Sequence, residues 1–214
     1  MIRGILFDMD GVLVDSEPFI CKSAVMMFEE LGLKVLPEDF KPFVGMGENR
    51  YIGGVAEKYG ITIEIKKAKD RTYQIYQQII KGKLAPLPGV HEFIDKCRNK
   101  GLKLAVATSA DLVKMEANLN EIHLFPALFH ATVNGLEVEN KKPHPDIYLK
   151  ASERLGLKPE ECLVVEDALS GIKAAVAAGC RCLAVASSFR KNELGEADWI
   201  CDSLLTVPDE ALNW

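Results

Sequence analysis

The fold is decided by the stretch Ile5-Leu6-Phe7-Asp8-Met9-Asp10-Gly11-Val12-Leu13-Val14-Asp15-Ser16. Its first three residues are apolar and predict a short buried strand, and Asp8 follows where an open α/β sheet keeps its ligand crevice. In an extended segment the side chains of Asp8 and Asp10 lie on one side, because the side-chain period is two. Carboxylates this close repel each other unless a cation or a shared proton relieves them. Since Gly11 allows a sharp turn out of the strand, the stretch predicts a corner suited to Mg²⁺ and a phosphorylated substrate.

Two simpler interpretations of the Asp-x-Asp-Gly pattern stay open at this point. It is common as a plain acidic turn, and it also occurs in calcium-binding loops. The apolar strand in front of Asp8 argues against the helix–loop–helix unit that a calcium loop of this kind needs. The choice between these readings depends on residues further along the chain.

Strand-like and helix-like segments alternate over most of the chain. Further strands are predicted at Leu104–Thr108, Ala131–Val133, Leu163–Glu166, Cys182–Ala186 and Trp199–Cys201. Helices are predicted at Val90–Asn99, Leu112–Ile122, Pro145–Leu155 and Ser170–Ala178. The strands are continuously apolar, as a sheet covered on both faces requires. This alternation predicts an α/β fold with a doubly wound, mostly parallel, Rossmann-like sheet.

Residues 16–85 interrupt this alternation with helical patterns alone. Ser16 is a candidate N-cap for a first helix that ends near Gly32, and further helices are predicted at Arg50–Lys58 and Ile65–Ile80. We therefore expect a core domain formed by residues 1–15 and 86–214, with an inserted all-helical cap domain at 16–85. Packing of these helices into a single domain with the sheet is the alternative.

Composition narrows the class of protein. A hydrophobic content of 48% and a charged content of 27% are ordinary for a soluble globular enzyme, and the net charge of −5 does not favour nucleic-acid binding. No apolar run is long enough to span a membrane, and Met1 leads directly into the first strand, which leaves no room for a signal peptide. The six cysteines form no CxxC pair, so we read them as buried thiols in a reducing compartment. The expectation is a cytoplasmic monomer without nucleic-acid or membrane partners.

Four segments stand out along the chain: Asp8–Glu17, Leu104–Ser109, Lys142–Tyr148 and Val164–Ile172. Together they resemble the haloacid dehalogenase (HAD) superfamily, in the branch of β-phosphoglucomutase and small-metabolite phosphatases. Each is weak alone, but their order and spacing are specific, and they span nearly the whole chain. The segments Gly45-Met46-Gly47-Glu48 and Glu116-Ala117-Asn118-Leu119 also resemble a HAD domain that occurs fused within a larger protein.

The resemblance implies roles for the acidic residues. Asp8 would be the nucleophile that forms an aspartyl-phosphate, and Asp10 the general acid and base. Mg²⁺ would be bound by Asp8, by the backbone carbonyl of Asp10 and by Asp167, with Glu166 acting through water or orienting the site. The simpler role for Asp167 is that of a helix N-cap.

Phosphate binding is implied for three further residues. Thr108 would offer its hydroxyl at the end of a strand, with Ser109 and backbone N–H groups beside it; a plain capping role is the alternative for Thr108. The ammonium of Lys142 would bridge Asp8 and the phosphate. Adjacent Lys141 is the rival, but the resemblance puts this role on the lysine directly before Pro143.

The cap sets the substrate, and here the sequence departs from the mutase. Ile20 stands where the mutase has a histidine, Glu48 where it has an arginine, and Asp111 where it has a lysine. Gly47, Glu48, Arg50 and Lys69 are the candidate substrate contacts of the cap. The losses favour a Mg²⁺-dependent phosphatase acting on a small phosphorylated metabolite. The alternatives are a β-phosphoglucomutase-type mutase and a non-catalytic HAD module; dehalogenase chemistry would leave Asp10, Glu166 and Asp167 without a purpose.

Overall fold

A computed structural model describes residues 1–44 and 47–214, so the resemblance noted at Gly45-Met46 lies outside the described residues. The chain divides into two units, one formed by Met1–Asp15 with Ala85–Trp214 and the other by Ser16–Leu84. These units differ from the expected domains only in the placement of residue 85. Their roles as catalytic core and cap stay predictions.

The elements follow one another along the described residues in a regular order. They are β1 (Gly4–Phe7), α1 (Glu17–Glu30), α2 (Glu48–Lys58), α3 (Ile65–Ile79), α4 (Val90–Asn99), β2 (Lys103–Ala107), α5 (Leu112–Glu121), β3 (Ala131–Val133), α6 (Asp146–Leu155), β4 (Cys162–Glu166), α7 (Leu169–Ala178), β5 (Arg181–Val185) and β6 (Trp199–Cys201). All the predicted strands and helices are present, with ends that shift by one or two residues. The predicted α/β fold with a doubly wound sheet is confirmed.

The sheet places β1 at its centre. Its strand order is β3-β2-β1-β4-β5-β6, and every neighbouring pair is parallel. Phe7 at the end of β1 is level with Val106 of β2 and Val165 of β4. The order of the strands reverses between β1 and β4, which is the topological switch point where such sheets bind ligands. The residues that follow β1 and β4 therefore lie beside this crevice.

Both faces of the sheet are covered by helices. Leu6, Ala105 and Val164 pack with Tyr148 of α6 and Ala175 of α7 in one buried cluster. Side chains of β1 that alternate with Leu6 lie on the other face, where the Phe7 ring meets the Phe93 ring edge-on at 6.1 Å. Burial on both sides explains why the strands are apolar throughout and holds their carboxyl ends in fixed register.

The second unit is built from α1, α2 and α3 around its own apolar core. Phe28, Phe40, Ile52, Val55 and Ile75 are members of that core. The Phe40 ring lies 6.1 Å from Phe28 and 4.9 Å from Tyr51. A separate core of this kind is what allows an inserted segment to form a domain of its own.

The expected capping role of Ser16 is wrong. Ser16 occupies the N-cap position of α1, but its backbone is already helical, with φ −91° and ψ −14°, and its side chain makes no capping hydrogen bond. A capping side chain needs an extended backbone in order to reach the N–H groups of the first turn.

No helix within residues 1–44 and 47–214 is long and apolar enough to cross a membrane.

Asp39 ties together three parts of the second unit and makes its stability depend on pH. It is buried and accepts hydrogen bonds from Tyr59 Oη at 2.6 Å and from the backbone N–H of Leu36 at 2.8 Å, and it pairs with the Lys58 ammonium. These partners, Lys58 first, lower the pKa of Asp39 to about 2. The stabilisation is complete above the ordinary carboxyl pKa and is lost as pH falls through the folded-state pKa.

We expect Asp39→Asn to lower the urea midpoint of unfolding at pH 7, because the ionised acceptor is lost. The gap between wild type and variant should narrow between pH 4 and pH 2, as the wild-type carboxylate is protonated. Urea titrations followed by circular dichroism at several pH values measure the gap. A gap that stays constant down to pH 2 would show that the charge of Asp39 does not contribute.

Candidate active site

The carboxyl ends of β1, β2 and β4 bring the predicted residues to one edge of the sheet. Asp8 continues the ladder beyond β1, donating its backbone N–H to Val165 O at 2.9 Å. Thr108 does the same beyond β2, to Val133 O at 3.0 Å. Glu166 is the last residue of β4. Regular backbone pairing thus fixes the Cα positions from which the site side chains project.

Lys142 lies between two carboxylates. Its Nζ is 2.5 Å from Asp8 Oδ1 and 2.5 Å from Glu166 Oε1, and the three side chains are 8%, 10% and 1% exposed. The neighbouring Lys141 turns away and donates to the backbone carbonyl of Gly135. Of the two adjacent lysines, Lys142 is the one that reaches Asp8.

Both carboxylate oxygens of Glu166 accept two hydrogen bonds. Its Oε1 accepts from Lys142 and from Tyr148 Oη at 2.8 Å, and its Oε2 accepts the backbone N–H groups of Asp167 at 2.8 Å and Ala168 at 2.9 Å. A carboxylate with this many donors is rigid. We infer that Glu166 orients Lys142 rather than acting as a mobile ligand.

Asp167 faces the turn after β1. Its carboxylate accepts a hydrogen bond from the Ser188 hydroxyl in the loop after β5. It lies so close to Gly11 that a Cβ added there would be 2.0 Å from Asp167 Oδ2. Gly11 also has φ +81°, so glycine is required at this position both for its backbone angle and for the approach of the carboxylate.

The charged groups of the site strongly shift one another's pKa values. Burial, together with the charges of Glu166 and Asp10, raises the pKa of Asp8 to about 7 although Lys142 opposes the shift. Burial and the same kind of repulsion, from Glu166 and Asp8, raise the pKa of Asp167. Burial alone would raise the pKa of Glu166, but Lys142 and the hydrogen bonds from Ala168 and Tyr148 together lower it. For Lys142, burial alone would lower the pKa, but Asp8 and Glu166 raise it.

This arrangement fits a divalent cation. Asp8, Glu166 and Asp167 each offer a carboxylate oxygen within 4.8 Å of the others. Among the described residues, the ammonium of Lys142 is paired with Asp8 and Glu166, and with Asp167 these make three buried carboxylates. Negative charge is therefore in excess, and carboxylate oxygens are the ligands that Mg²⁺ prefers. Because Glu166 is already saturated with hydrogen bonds, Asp8 and Asp167 are the better candidates for direct contact.

Asp10 is held by a different pair of side chains. Its Oδ2 is 2.8 Å from Lys114 Nζ, and Asn118 Nδ2 lies 3.4 Å from its Oδ1. Lys114 and Asn118 both belong to α5 and are buried. The strand ends at Phe7, and Leu13 N–H closes a turn onto Met9 O at 2.8 Å, so Asp10 lies in a turn beyond the strand. Asp8 pairs with Lys142 and Asp10 pairs with Lys114.

Thr108 and Ser109 lie at the start of the loop between β2 and α5. The Thr108 hydroxyl accepts the backbone N–H of Ala110 at 3.1 Å, a local turn contact. The N-cap position of α5 is held by Asp111, so Thr108 does not cap that helix. Gly135 packs against this loop, since a Cβ there would lie 2.1 Å from Ser109 O.

The four residues predicted to contact substrate from the cap all belong to the second unit. Gly47, with φ +82°, immediately precedes α2, and Glu48 is the first residue of that helix. The Arg50 guanidinium is 2.7 Å from Glu57 and lies 5.0 Å from the centre of the Phe43 ring. Lys69 is half-buried on α3. Their substrate contacts stay predictions.

The sequence reasoning missed five residues around the site: Lys114, Asn118, Tyr148, Ser187 and Ser188. A signal was present for each. Lys114 and Asn118 are four residues apart on a predicted helix, and Tyr148 sits within the third motif. Ser187 and Ser188 directly follow a predicted strand, and the Ser187 hydroxyl donates to Gly11 O at 2.5 Å.

Fold and site together define a doubly wound α/β protein with a lysine-bridged acidic centre at its switch point. The profile of the Haloacid dehalogenase-like hydrolase family matches residues 5–185. The chain belongs to this family, and the resemblance drawn from the four motifs is confirmed.

Individual relatives agree with this placement. The chain is 42% identical to the protein SUPPRESSOR OF QUENCHING 1, chloroplastic, of Arabidopsis thaliana over 92% of its own length, but it spans only 19% of that relative. It is 32% identical to the phosphorylated carbohydrates phosphatase of Thermotoga maritima, over 99% of this chain and 97% of the relative. The crystal structure of CbbY from Rhodobacter sphaeroides in complex with phosphate superposes with a TM-score of 0.89 at 28% identity, covering 100% of both chains.

Gly171 packs directly against the Glu166 carboxylate. It lies in the first turn of α7, where an added Cβ would be 1.7 Å from Glu166 Oε1. Alanine is ordinarily preferred over glycine in a helix by about 1 kcal/mol. We expect Gly171→Ala to lower the free energy of unfolding instead, by about 1–3 kcal/mol, because it displaces a buried hydrogen-bonded carboxylate.

Urea unfolding of the Gly171→Ala variant measures this change. Gly53→Ala in α2 is the matched control, since its added Cβ meets only the side-chain end of Ile65, at 3.3 Å. The control should be as stable as wild type or slightly more stable. Equal stabilisation in both variants would contradict the packing described for Glu166.

Proposed function

We propose that this chain is a Mg²⁺-dependent phosphatase that hydrolyses a small phosphorylated metabolite through an aspartyl-phosphate on Asp8. The observation that carries the proposal is the position of Asp8 at the end of the central strand, 2.5 Å from the Lys142 ammonium and clustered with Asp167. A carboxylate can act as a nucleophile without a base, provided that positive charge holds the phosphate in line. Lys142 supplies such charge from the protein itself.

In the first half of the reaction an Asp8 oxygen attacks phosphorus. The bond between phosphorus and the ester oxygen breaks, and Asp10 donates a proton to that leaving oxygen. Lys142 neutralises negative charge on the phosphate oxygens, and Thr108 and Ser109 would bind the same group. The products of this half are the free alcohol and phosphorylated Asp8.

In the second half Asp10 acts as the base. Its carboxylate takes a proton from water, the water oxygen bonds to phosphorus, and the bond between phosphorus and Asp8 breaks. Inorganic phosphate leaves and the Asp8 carboxylate is regenerated. The net reaction is the hydrolysis of one phosphate monoester by one water molecule.

Mg²⁺ would be held by Asp8 and Asp167, with the backbone carbonyl of Asp10 as the family resemblance implies. When bound, it would add the positive charge that the acidic cluster lacks and would offset the burial and the repulsion that raise the pKa of Asp8.

The substrate class follows from the relatives and from the second unit. One relative is named as a phosphatase of phosphorylated carbohydrates, which supports a sugar phosphate or a similar polar ester for this chain. Gly47, Glu48, Arg50 and Lys69 are the residues that we propose to contact the part of the substrate beyond the phosphate.

A phosphatase is favoured over a mutase because two proton-handling or phosphate-handling side chains of the mutase are replaced in this chain. Ile20 is a buried member of α1 where the mutase has a histidine, and Asp111 precedes α5 where it has a lysine. A mutase must hold a bisphosphate and protect its phospho-aspartate from water, whereas a phosphatase need not. Fewer phosphate-handling and proton-handling groups fit the simpler reaction.

Cytoplasmic location and a monomeric state complete the proposal. All six cysteines are free thiols and five of them are buried, as is usual in a reducing compartment.

The function is tested by phosphate release from p-nitrophenyl phosphate and from a panel of sugar phosphates, phosphoglycolate, nucleotides and pyrophosphate. We expect Mg²⁺-dependent turnover by wild type that chelation abolishes. Asp8→Asn should fold normally and lose turnover by at least about 10³-fold, because the nucleophile is removed. Absence of activity across the panel would favour a non-catalytic HAD module.

A further arm of this experiment separates phosphatase from mutase. β-Glucose 1-phosphate is supplied together with glucose 1,6-bisphosphate, and both products are followed. Faster formation of glucose 6-phosphate than of inorganic phosphate would replace the proposed activity with that of a mutase.

The two adjacent lysines provide a matched pair of variants. Lys142→Met should lower turnover by about 10²–10³-fold, because it removes the charge that stabilises the transferring phosphoryl group. Lys141→Met should keep most of the wild-type activity, since the Lys141 ammonium contacts the Gly135 carbonyl rather than Asp8. Turnover is measured per folded molecule, with the folded fraction taken from thermal unfolding. A larger loss in the Lys141 variant would be incompatible with the assigned role of Lys142.

A further inference from the structure

Lys114 is a buried lysine that the reaction described so far does not use. It lies in the first turn of α5 and is only 5% exposed, on a helix face that also buries Met115, Asn118 and Leu119. Lysine is rarely buried to this extent unless it is paired, because the removal of its charge from water is costly. Its place on the inner face of α5 therefore calls for a specific partner.

The partner of Lys114 is the second aspartate of the first motif. Lys114 Nζ is 2.8 Å from Asp10 Oδ2, while Asn118 Nδ2 lies 3.4 Å from Asp10 Oδ1 and 3.5 Å from Met9 Sδ. Lys114 and Asn118 are four residues apart and so lie on one face of α5. Two side chains of one helix thus contact both oxygens of the Asp10 carboxylate.

The contact acts on the side chain of Asp10 and is not needed to hold its backbone. The loop is already closed by hydrogen bonds from Gly11 N to Val14 O at 2.7 Å and from Leu13 N to Met9 O at 2.8 Å. The Asp10 side chain is 34% exposed, so it is anchored from the side of α5 while part of it faces solvent. A carboxylate fixed in this way can meet a reacting group on its open side.

We propose that Lys114, assisted by Asn118, is a positioning residue that fixes the Asp10 carboxylate for proton transfer to and from the substrate. This inference rests on the proposed phosphatase function and adds a residue pair to it. Lys142 then pairs with the nucleophile Asp8, and Lys114 pairs with the acid–base group Asp10. Correct placement of an acid–base group contributes about 10²–10⁴-fold to catalysis.

The choice of leaving group separates this role from a merely structural one. An alkyl phosphate needs a proton on its leaving oxygen, whereas p-nitrophenolate is a weak base that departs without one. The quantity to compare is kcat/KM, because it reports the steps up to the formation of phosphorylated Asp8. The two probes are p-nitrophenyl phosphate and the alkyl phosphate that wild type hydrolyses fastest in the panel.

We expect Lys114→Met to lower kcat/KM for the alkyl ester by about 100-fold, and for p-nitrophenyl phosphate by less than about tenfold. Lys114→Arg, which keeps the charge, should recover part of the loss on the alkyl ester. In the Asp10→Asn background, Lys114→Met should have little further effect, because the group that it positions is already gone. Lys103→Met is the control. Lys103 is a partly buried lysine at the start of β2, and its Nζ donates to Leu155 O at 2.6 Å rather than to Asp10.

Equal losses on both esters in Lys114→Met, or wild-type values on both, would overturn the proposal. If Lys114→Met does not fold, Asn118→Ala serves in its place, and the same unequal loss on the two esters, smaller in size, is expected. Absence of turnover by wild type is a different outcome: it refutes the phosphatase function, and this inference with it. If Asp8→Asn abolishes the turnover seen in wild type but Lys114→Met lowers kcat/KM equally on both esters, only the positioning role of Lys114 is refuted. The phosphatase function is then unaffected.

Discussion

The site depends on the buried ammonium of Lys142, which lies between Asp8 of the central strand and Glu166 at the end of β4. Both carboxylates are at least 90% shielded from solvent, so neither could stay charged in this place without a counter-charge. Glu166 is in turn fixed by Tyr148 and by two backbone N–H groups. Lys142 thereby joins the loop before α6 to the ends of two neighbouring strands, β1 and β4. The position of Asp8 therefore depends on the correct assembly of the sheet.

The fold was predictable because its signals are local and agree with one another. Apolar runs of strand length alternate with helical periodicity, and the hydrophobic pattern of each element is satisfied by the sheet and helices that form. The core of the site was predictable for a related reason. Asp8 and Asp167 directly follow a predicted strand and Thr108 ends one, and parallel strands end at one edge of a sheet. Pro143 marked which of two adjacent lysines belongs to the motif.

The residues that were missed are those whose position depends on tertiary packing. Lys114 and Asn118 could be placed on one face of α5 from their spacing, but not on the face that meets Asp10 rather than solvent. Ser188 reaches Asp167 from a loop whose path no periodicity describes. The capping role expected of Ser16 failed in the same way, because a residue type does not determine whether its backbone is extended or helical.

The strand at the centre of the sheet is also the first element of the chain, and this has a consequence for biosynthesis. β1 pairs with β2 and β4, which begin at Lys103 and Cys162, and the residues just after β1 have equally distant partners: Lys142 is 134 positions beyond Asp8, and Ser187 is 176 positions beyond Gly11. During translation the apolar β1 must therefore wait for the whole helical insert to be made before β2 can cover one of its edges, and for β2 and β3 to be made before β4 can cover the other. Long-range closure of this kind is slow, and it leaves an aggregation-prone strand edge exposed on the nascent chain until the downstream strands arrive.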